Sequence, residues 1–246
     1  MAATTTAPAT TARTGRTAGD AVRTAVRGLG QTLITLGVVL LLFCVYEVWV
    51  TNLVTAQEQQ ELQSEIEQAW AAPPPAPVEA GAPPPTVELG AGVAVLRIPR
   101  LDGPDEPYAK VVVEGTTVSD LKRGPGRIVE SAMPGEVGNL VISGHRTTYG
   151  APFADVDLLE PGDAVVVETR DRWFTYRVTG TRIVAPTAVE VTYPVPGQPG
   201  AKPTERLLTL TTCHPKYSAR QRMIVSAVLE EDLPKAEGDP AALTGA

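Results

Sequence analysis

The stretch ERLLTLTTCHPKYSARQRMIVSAVL, Glu205 to Leu229, holds two β-branched, apolar runs separated by a polar loop that contains a proline. Alternation of side chains along a strand puts Leu208, Leu210 and Thr212 on one face and Thr209, Thr211 and Cys213 on the other. The leucines belong to a core, so Cys213 ends the first run on the wetter face, where a thiol is accessible. The same alternation turns His214 away from Cys213, and the two neighbours are not expected to form a hydrogen-bonded couple. In the second run Arg222, Ile224 and Ser226 share a face, so an arginine that opens this strand can return towards Cys213. Arg220 has the same parity and is the alternative. Free cysteine is often an inert, buried small hydrophobe, and the residues alone leave both readings of Cys213 open.

The texture of this hairpin extends upstream. VAVLRIP, AKVVVEG, GRIVE, NLVISG, DAVVVET and WFTYRVTGTRIV are short β-branched runs divided by Gly, Pro and Asp. With the hairpin they make eight strand candidates and almost no long helical period, which implies a closed β-barrel or a sandwich. Residues 117–122, TVSDLK, suit one helical turn. His145 closes the run NLVISGHR, where the imidazole can emerge at a strand end into a cleft. A histidine on a surface loop is the bland alternative.

Outside residues 90–233 the composition changes. GLGQTLITLGVVLLLFCVY, Gly28 to Tyr46, carries no charge and is close to the ~20 residues that span a bilayer. Its length and the weak cleavage site at Val54-Thr55-Ala56 favour a retained anchor, residues 28–50, over a removed signal peptide. Four arginines and one aspartate precede the run, whereas glutamates 47, 58, 61, 65 and 67 follow it. The positive-inside rule then puts the N-terminus in the cytoplasm and everything beyond the span outside. Residues 1–27, rich in Ala, Thr and Gly, read as a disordered tail. Residues 51–70 read as a juxtamembrane helix with a thin apolar stripe at Leu62, Ile66 and Trp70. Proline-rich residues 71–89 form an extended spacer, and residues 234–246 read as a second disordered tail.

The net charge is −7 despite the basic N-terminus, so the exported part is strongly acidic and a nucleic-acid partner is excluded. Of the two cysteines, Cys44 lies within the apolar run, which makes a bridge to Cys213 implausible and leaves a free thiol.

Together these residues resemble the sortases, the membrane-anchored cysteine transpeptidases of Gram-positive bacteria. The resemblance rests on TLxTC at Thr209 to Cys213, on the histidine of GNLVISGHR at His145, and on the arginine opening the next strand at Arg222. TLTTCHP, GHRTTYGAPF and the single N-terminal anchor look most like class E of the actinobacteria. The resemblance implies an eight-stranded β-barrel with Cys213 as nucleophile, His145 as general acid and base, and Arg222 as the stabiliser of substrate and oxyanion. It implies surface proteins bearing a C-terminal LAxTG- or LPxTG-like sorting signal as substrates, cleaved between Thr and Gly. A peptidoglycan-precursor amine, lipid II-like, would be the acceptor, and no cofactor or metal is implied. No Asp-Pro-aromatic lid of the pilus-building kind is present. A membrane-tethered cysteine hydrolase and a non-enzymatic cell-surface β-barrel are the rival readings.

Overall fold

Each of the eight apolar runs forms a strand. They are β1 (Gly92–Arg97), β2 (Ala109–Glu114), β3 (Gly126–Arg127), β4 (Gly138–Ser143), β5 (Ala164–Glu168), β6 (Arg172–Val184), β7 (Arg206–His214) and β8 (Gln221–Pro234). They close into a barrel in the order β1-β2-β3-β4-β7-β8-β6-β5, which decides between the barrel and the sandwich. The β2–β3 and β4–β7 pairs are parallel and the others antiparallel. The computed structural model describes residues 18–46, 51–73, 87–104 and 106–245. Most of the N-terminal tail and the central part of the Pro-rich spacer lie outside the described residues.

The chain divides into a unit ending at Glu47 and a unit from Val48 onward. In the first, helix α1 (Ala18–Val45) contains the apolar segment Val22–Val45, whose 24 residues are long and apolar enough to cross a membrane. Leu33, Leu36, Leu40 and Phe43 are exposed along it, as side chains facing lipid would be. The helix starts ten residues ahead of the expected span. The upstream sequence AVRTAVR lacks the glycine or proline that would end a helix, so residues 18–27 depart from the expected disorder.

In the second unit the barrel is filled by inward residues of every long strand, among them Leu96, Val112, Leu140, Ile142, Val165, Tyr176, Leu208, Leu210 and Val225. β1 and β2 are apolar on their outer face as well, and a strand apolar on both faces must be covered on both. Helix α2 (Thr51–Ala71) supplies the cover. Its stripe of Leu62, Ile66 and Trp70 lies on Val95, Val111 and Val113, with Leu62 and Ile66 buried. Complete burial of one such side chain is worth ~1.5–3 kcal/mol, and the helix expected over residues 51–70 is part of the barrel's outer layer.

A second tie between α2 and the barrel is polar. Pro125, which has no N–H, precedes a β3 of only two residues, so β2, paired with β1 on one edge, has no strand on its β3 side before Val113. The Gln59 carboxamide takes that place: its Oε1 accepts from Val111 N at 2.9 Å, and its Nε2 donates to Val111 O at 3.2 Å and to Arg123 O at 2.7 Å. The turn expected over 117–122 is helix α3 (Val118–Arg123), opened by a capping box in which Thr117 and Asp120 satisfy each other's backbone.

The C-terminus also departs from expectation. Beyond β8, Lys235–Glu237 form a 3-10 turn and Ala241–Thr244 a short helix, α4. Lys235 accounts for this order, since its ammonium donates to Glu168 at 2.7 Å and stands over the rings of Trp70 and Trp173 at 4.3 and 4.9 Å. Lys235 therefore has partners on α2, β5 and β6.

At the paired ends of β2 and β3 lies an ion pair almost wholly out of water. Arg127 Nε and Nη2 donate to the two oxygens of Glu114 at 2.8 and 2.5 Å. Removing one partner strands the other charge, so Glu114→Ala is expected to cost ~3–5 kcal/mol, read by denaturant unfolding. A variant replacing both residues with apolar ones should lose much less.

Candidate active site

β7 lies between a parallel neighbour, β4, and an antiparallel one, β8, and both registers are fixed by the inward leucines. Antiparallel pairing sets Cys213 directly opposite Arg222, and opposite residues of such a pair project from the same face. Parallel pairing sets Ser143 beside Thr211. The ladder continues one step through Gly144 N, which donates to Thr211 O at 3.1 Å. Two residues beyond each member of that pair come His145 and Cys213. The outer surface is thus a series of rows: Val141, Thr209 and Ser226; then Ser143, Thr211 and Ile224; then Cys213 and Arg222. His145 follows Ser143 by two residues, just past the end of β4, the strand next to β7.

The tight turn after β4 has a local cause. A Cβ on Gly144 would sit 2.6 Å from the ring of Phe153, so only glycine lets this core phenylalanine close under the strand end. Phe153 N then donates to His145 O at 3.0 Å and Thr212 Oγ1 to Gly144 O at 2.7 Å. The backbone of His145 is thereby tied to its own loop and to β7. Cys213 and His145 are both half-buried. Burial holds the His145 imidazole below its ordinary pKa, because the charged form loses more hydration than the neutral one.

Arg222 is also half-buried. Its Nη1 donates to Ala219 O and Gln221 O, both at 3.0 Å, so one arm of the guanidinium holds the β7–β8 loop. The rest of the fork makes no hydrogen bond among the described residues and is available to an oxygen at the strand end. Arg220 lies outside β8, exposed in that loop, and is not brought to the row of Cys213.

His214 takes the opposite direction. Its Nδ1 is 3.1 Å from Nη1 of Arg146, a buried guanidinium that also pairs with Asp157 at 2.8 Å and reaches the core sulfur of Met223 at 3.6 Å. The strand-parity expectation for His214 therefore matches its placement. Three participants in this region were not anticipated from sequence. Arg146 could have been found by extending the alternation one residue past His145. Asn139 donates to Val191 O and Tyr193 O and accepts from Thr209 Oγ1, fastening the long β6–β7 loop over the outer face of β4 and β7. Tyr149 packs its ring against His145, and no periodicity announces it.

Among the described residues no group of three or more His, Cys, Asp or Glu side chains is gathered as for a metal ion. A thiol and a guanidinium in one row, with an imidazole just past the end of the neighbouring strand, can instead carry nucleophilic attack, stabilisation of an oxyanion and proton transfer.

Residues 96–230 match the sortase domain family. The chain is 37% identical over 227 residues to sortase SrtE1 of Streptomyces coelicolor, covering 89% of this chain and 61% of that protein's length. It is 33% identical over 223 residues to SrtE2 of the same organism, covering 87% of this chain and 83% of the relative. The crystal structure of sortase E1 from Streptomyces coelicolor with a tripeptide in the active site superposes with a TM-score of 0.56 at 40% identity. That alignment takes in 63% of this chain and 97% of the other.

The burial of His145 has a measurable consequence. With the charged form disfavoured, the imidazole is expected to stay neutral as pH falls through the ordinary histidine value of about 6.5 and to protonate only below it. An NMR titration of the two histidines checks this. Replacing Phe153 by Leu should open the site and move the His145 midpoint upward, towards the ordinary value.

Proposed function

The chain belongs to the sortase family, and we propose that it acts as a membrane-anchored cysteine transpeptidase of the class E kind. Its substrates are surface proteins with a C-terminal LAxTG- or LPxTG-like sorting signal, cut between Thr and Gly. The acceptor is a peptidoglycan-precursor amine, lipid II-like. The observation that carries this reading is the pairing of Cys213 with Arg222 on the outer barrel face, with His145 just past the end of the neighbouring β4. The tripeptide in the active site of the Streptomyces coelicolor relative is in keeping with a peptide substrate.

The chemistry follows from the three side chains. The Cys213 thiolate attacks the threonine carbonyl, and the resulting oxyanion takes up the unengaged arm of Arg222. The C–N bond breaks as the His145 imidazolium gives its proton to the glycine nitrogen, leaving a thioester on Sγ. The acceptor amine then attacks the thioester, the neutral imidazole removes its proton, and the thiolate departs. Burial that favours neutral His145 suits this second half, where the imidazole must accept. Water competes with the amine throughout, so transfer depends on holding the amine at the site. A single-pass anchor at Val22–Val45, with the arginine-rich N-terminus cytoplasmic, keeps the enzyme on the membrane surface where wall precursors are displayed.

The test is mass spectrometry of the purified chain with LAxTG and LPxTG peptides and diglycine as the amine. Ligated peptide is expected. Acid product alone in excess diglycine would assign a hydrolase, and turnover by well-folded Cys213→Ala protein would end the enzymatic reading. Arg222→Ala is expected to lower the rate by about 10²–10³, the cost of one oxyanion donor. Arg222→Lys should recover little, and Arg220→Ala should stay close to the parent. His145→Ala should remove most activity and His214→Ala only a part of it.

A further inference from the structure

A histidine that shuttles protons is normally oriented by a third group, most often a carboxylate on its other nitrogen. His145 has none. Among the described residues no hydrogen bond reaches its imidazole, and its one ring contact is with Tyr149, centroids 5.1 Å apart and planes at 42°. Tyr149 itself is held in an unusual way. Tyr149, Gly150 and Ala151 have φ values of 51, 71 and 41°, three successive residues in the left-handed region, two of them not glycine. Such a run persists only where its surroundings impose it.

The surroundings come from α2 and α3. Above the tyrosine ring stands the ammonium of Lys122, 5.4 Å from the centroid, on the last turn of α3. The carbonyl of the same Lys122 accepts from Thr55 Oγ1 of α2 at 3.1 Å. Thr55, 4% exposed, also lies against Gly150: a Cβ there would meet its methyl group at 3.1 Å. From the far side Tyr108 Oη donates to Pro152 O at 2.6 Å. One buried threonine on the helix thus touches both the residue above the Tyr149 ring and the residue after it in the chain.

We propose that Tyr149 is the positioning residue for His145, standing where other enzymes place a carboxylate, and that α2 sets it by clamping its loop through Thr55. The proposal rests on the reading of His145 as acid and base. It assigns α2 a part in the reaction: the ring is held at one angle, so the imidazole nitrogen keeps its direction towards the row of Cys213 and Arg222 without the charge a carboxylate would add.

The experiment uses the full chain in lipid nanodiscs with histidine labelled at Cε1. The two histidines give two signals, and His145→Asn assigns them. Tyr149→Ala is expected to move the His145 resonance and leave His214 in place, and to lower kcat about 10- to 100-fold with KM for the sorting peptide unchanged. Tyr149→Phe retains the ring and should retain both the resonance and kcat. On the helix, Thr55→Arg displaces Gly150 and should reproduce the Tyr149→Ala spectrum and kcat. The unchanged His214 signal reports that the barrel is folded. An unmoved His145 resonance in Tyr149→Ala, a loss confined to KM, or a Tyr149→Phe protein as slow as Tyr149→Ala would each overturn the proposal. The spectra decide it even if the parent fails to ligate the peptide, which would count against the transpeptidase reading alone.

Discussion

The arrangement depends on the two registers of β7. A strand with a parallel partner on one side and an antiparallel partner on the other ties its own hairpin partner, β8, to β4, a segment far upstream in sequence. Because side chains alternate, a shift of one residue in either pairing would turn Leu208 and Leu210 out of the barrel. The hydrophobic interior therefore fixes the level at which β4, β7 and β8 end, and the candidate site lies at those ends. The core sets the geometry of that site without contributing a side chain to it.

His145 is held differently from Cys213 and Arg222. Cys213 and Arg222 are placed by backbone hydrogen bonds of regular strands and inherit the rigidity of the sheet. His145 lies two residues past the end of β4 and is fixed by a glycine that admits Phe153, by a hydrogen bond that closes its loop and by a single ring. The buried Arg146 braces the same loop from beneath, joining His214, Asp157 and the carbonyl of Ala154. On the reading proposed for the site, rigid placement of the thiol with softer placement of the imidazole suits a reaction in which the imidazole faces first a leaving amine and then an entering one.

All eight strands, the capped turn at Thr117 and the outward direction of Cys213 were legible in the sequence, because each follows from alternation or from a local capping pattern. Alternation alone left Arg222 and Arg220 as alternatives, and it is the β7–β8 register that sets Arg222 opposite Cys213 and leaves Arg220 in the loop. What stayed hidden depends on contacts between distant segments. The stripe of Leu62, Ile66 and Trp70 was visible, but its partner was not, although the apolar outer faces of VAVL and VVV implied that something must cover them. Tyr149 follows no period at all, because a loop in the left-handed region obeys its neighbours and not its own sequence. Lys235 reads as part of a polar tail until Glu168 and two tryptophans are seen around it.

The two-residue length of β3 leaves a barrel closed in topology yet open along half of one strand. An uncovered strand edge is a template on which a foreign extended chain can add itself. Gln59 occupies the backbone positions that an intruding strand would need, while Leu62 and Ile66 cover the valines beside them. A barrel shortened to begin after α2 would carry a sticky seam, prone to self-association. The helix thus serves as a guard against misassembly, a role that exists whether or not the enzyme is turning over.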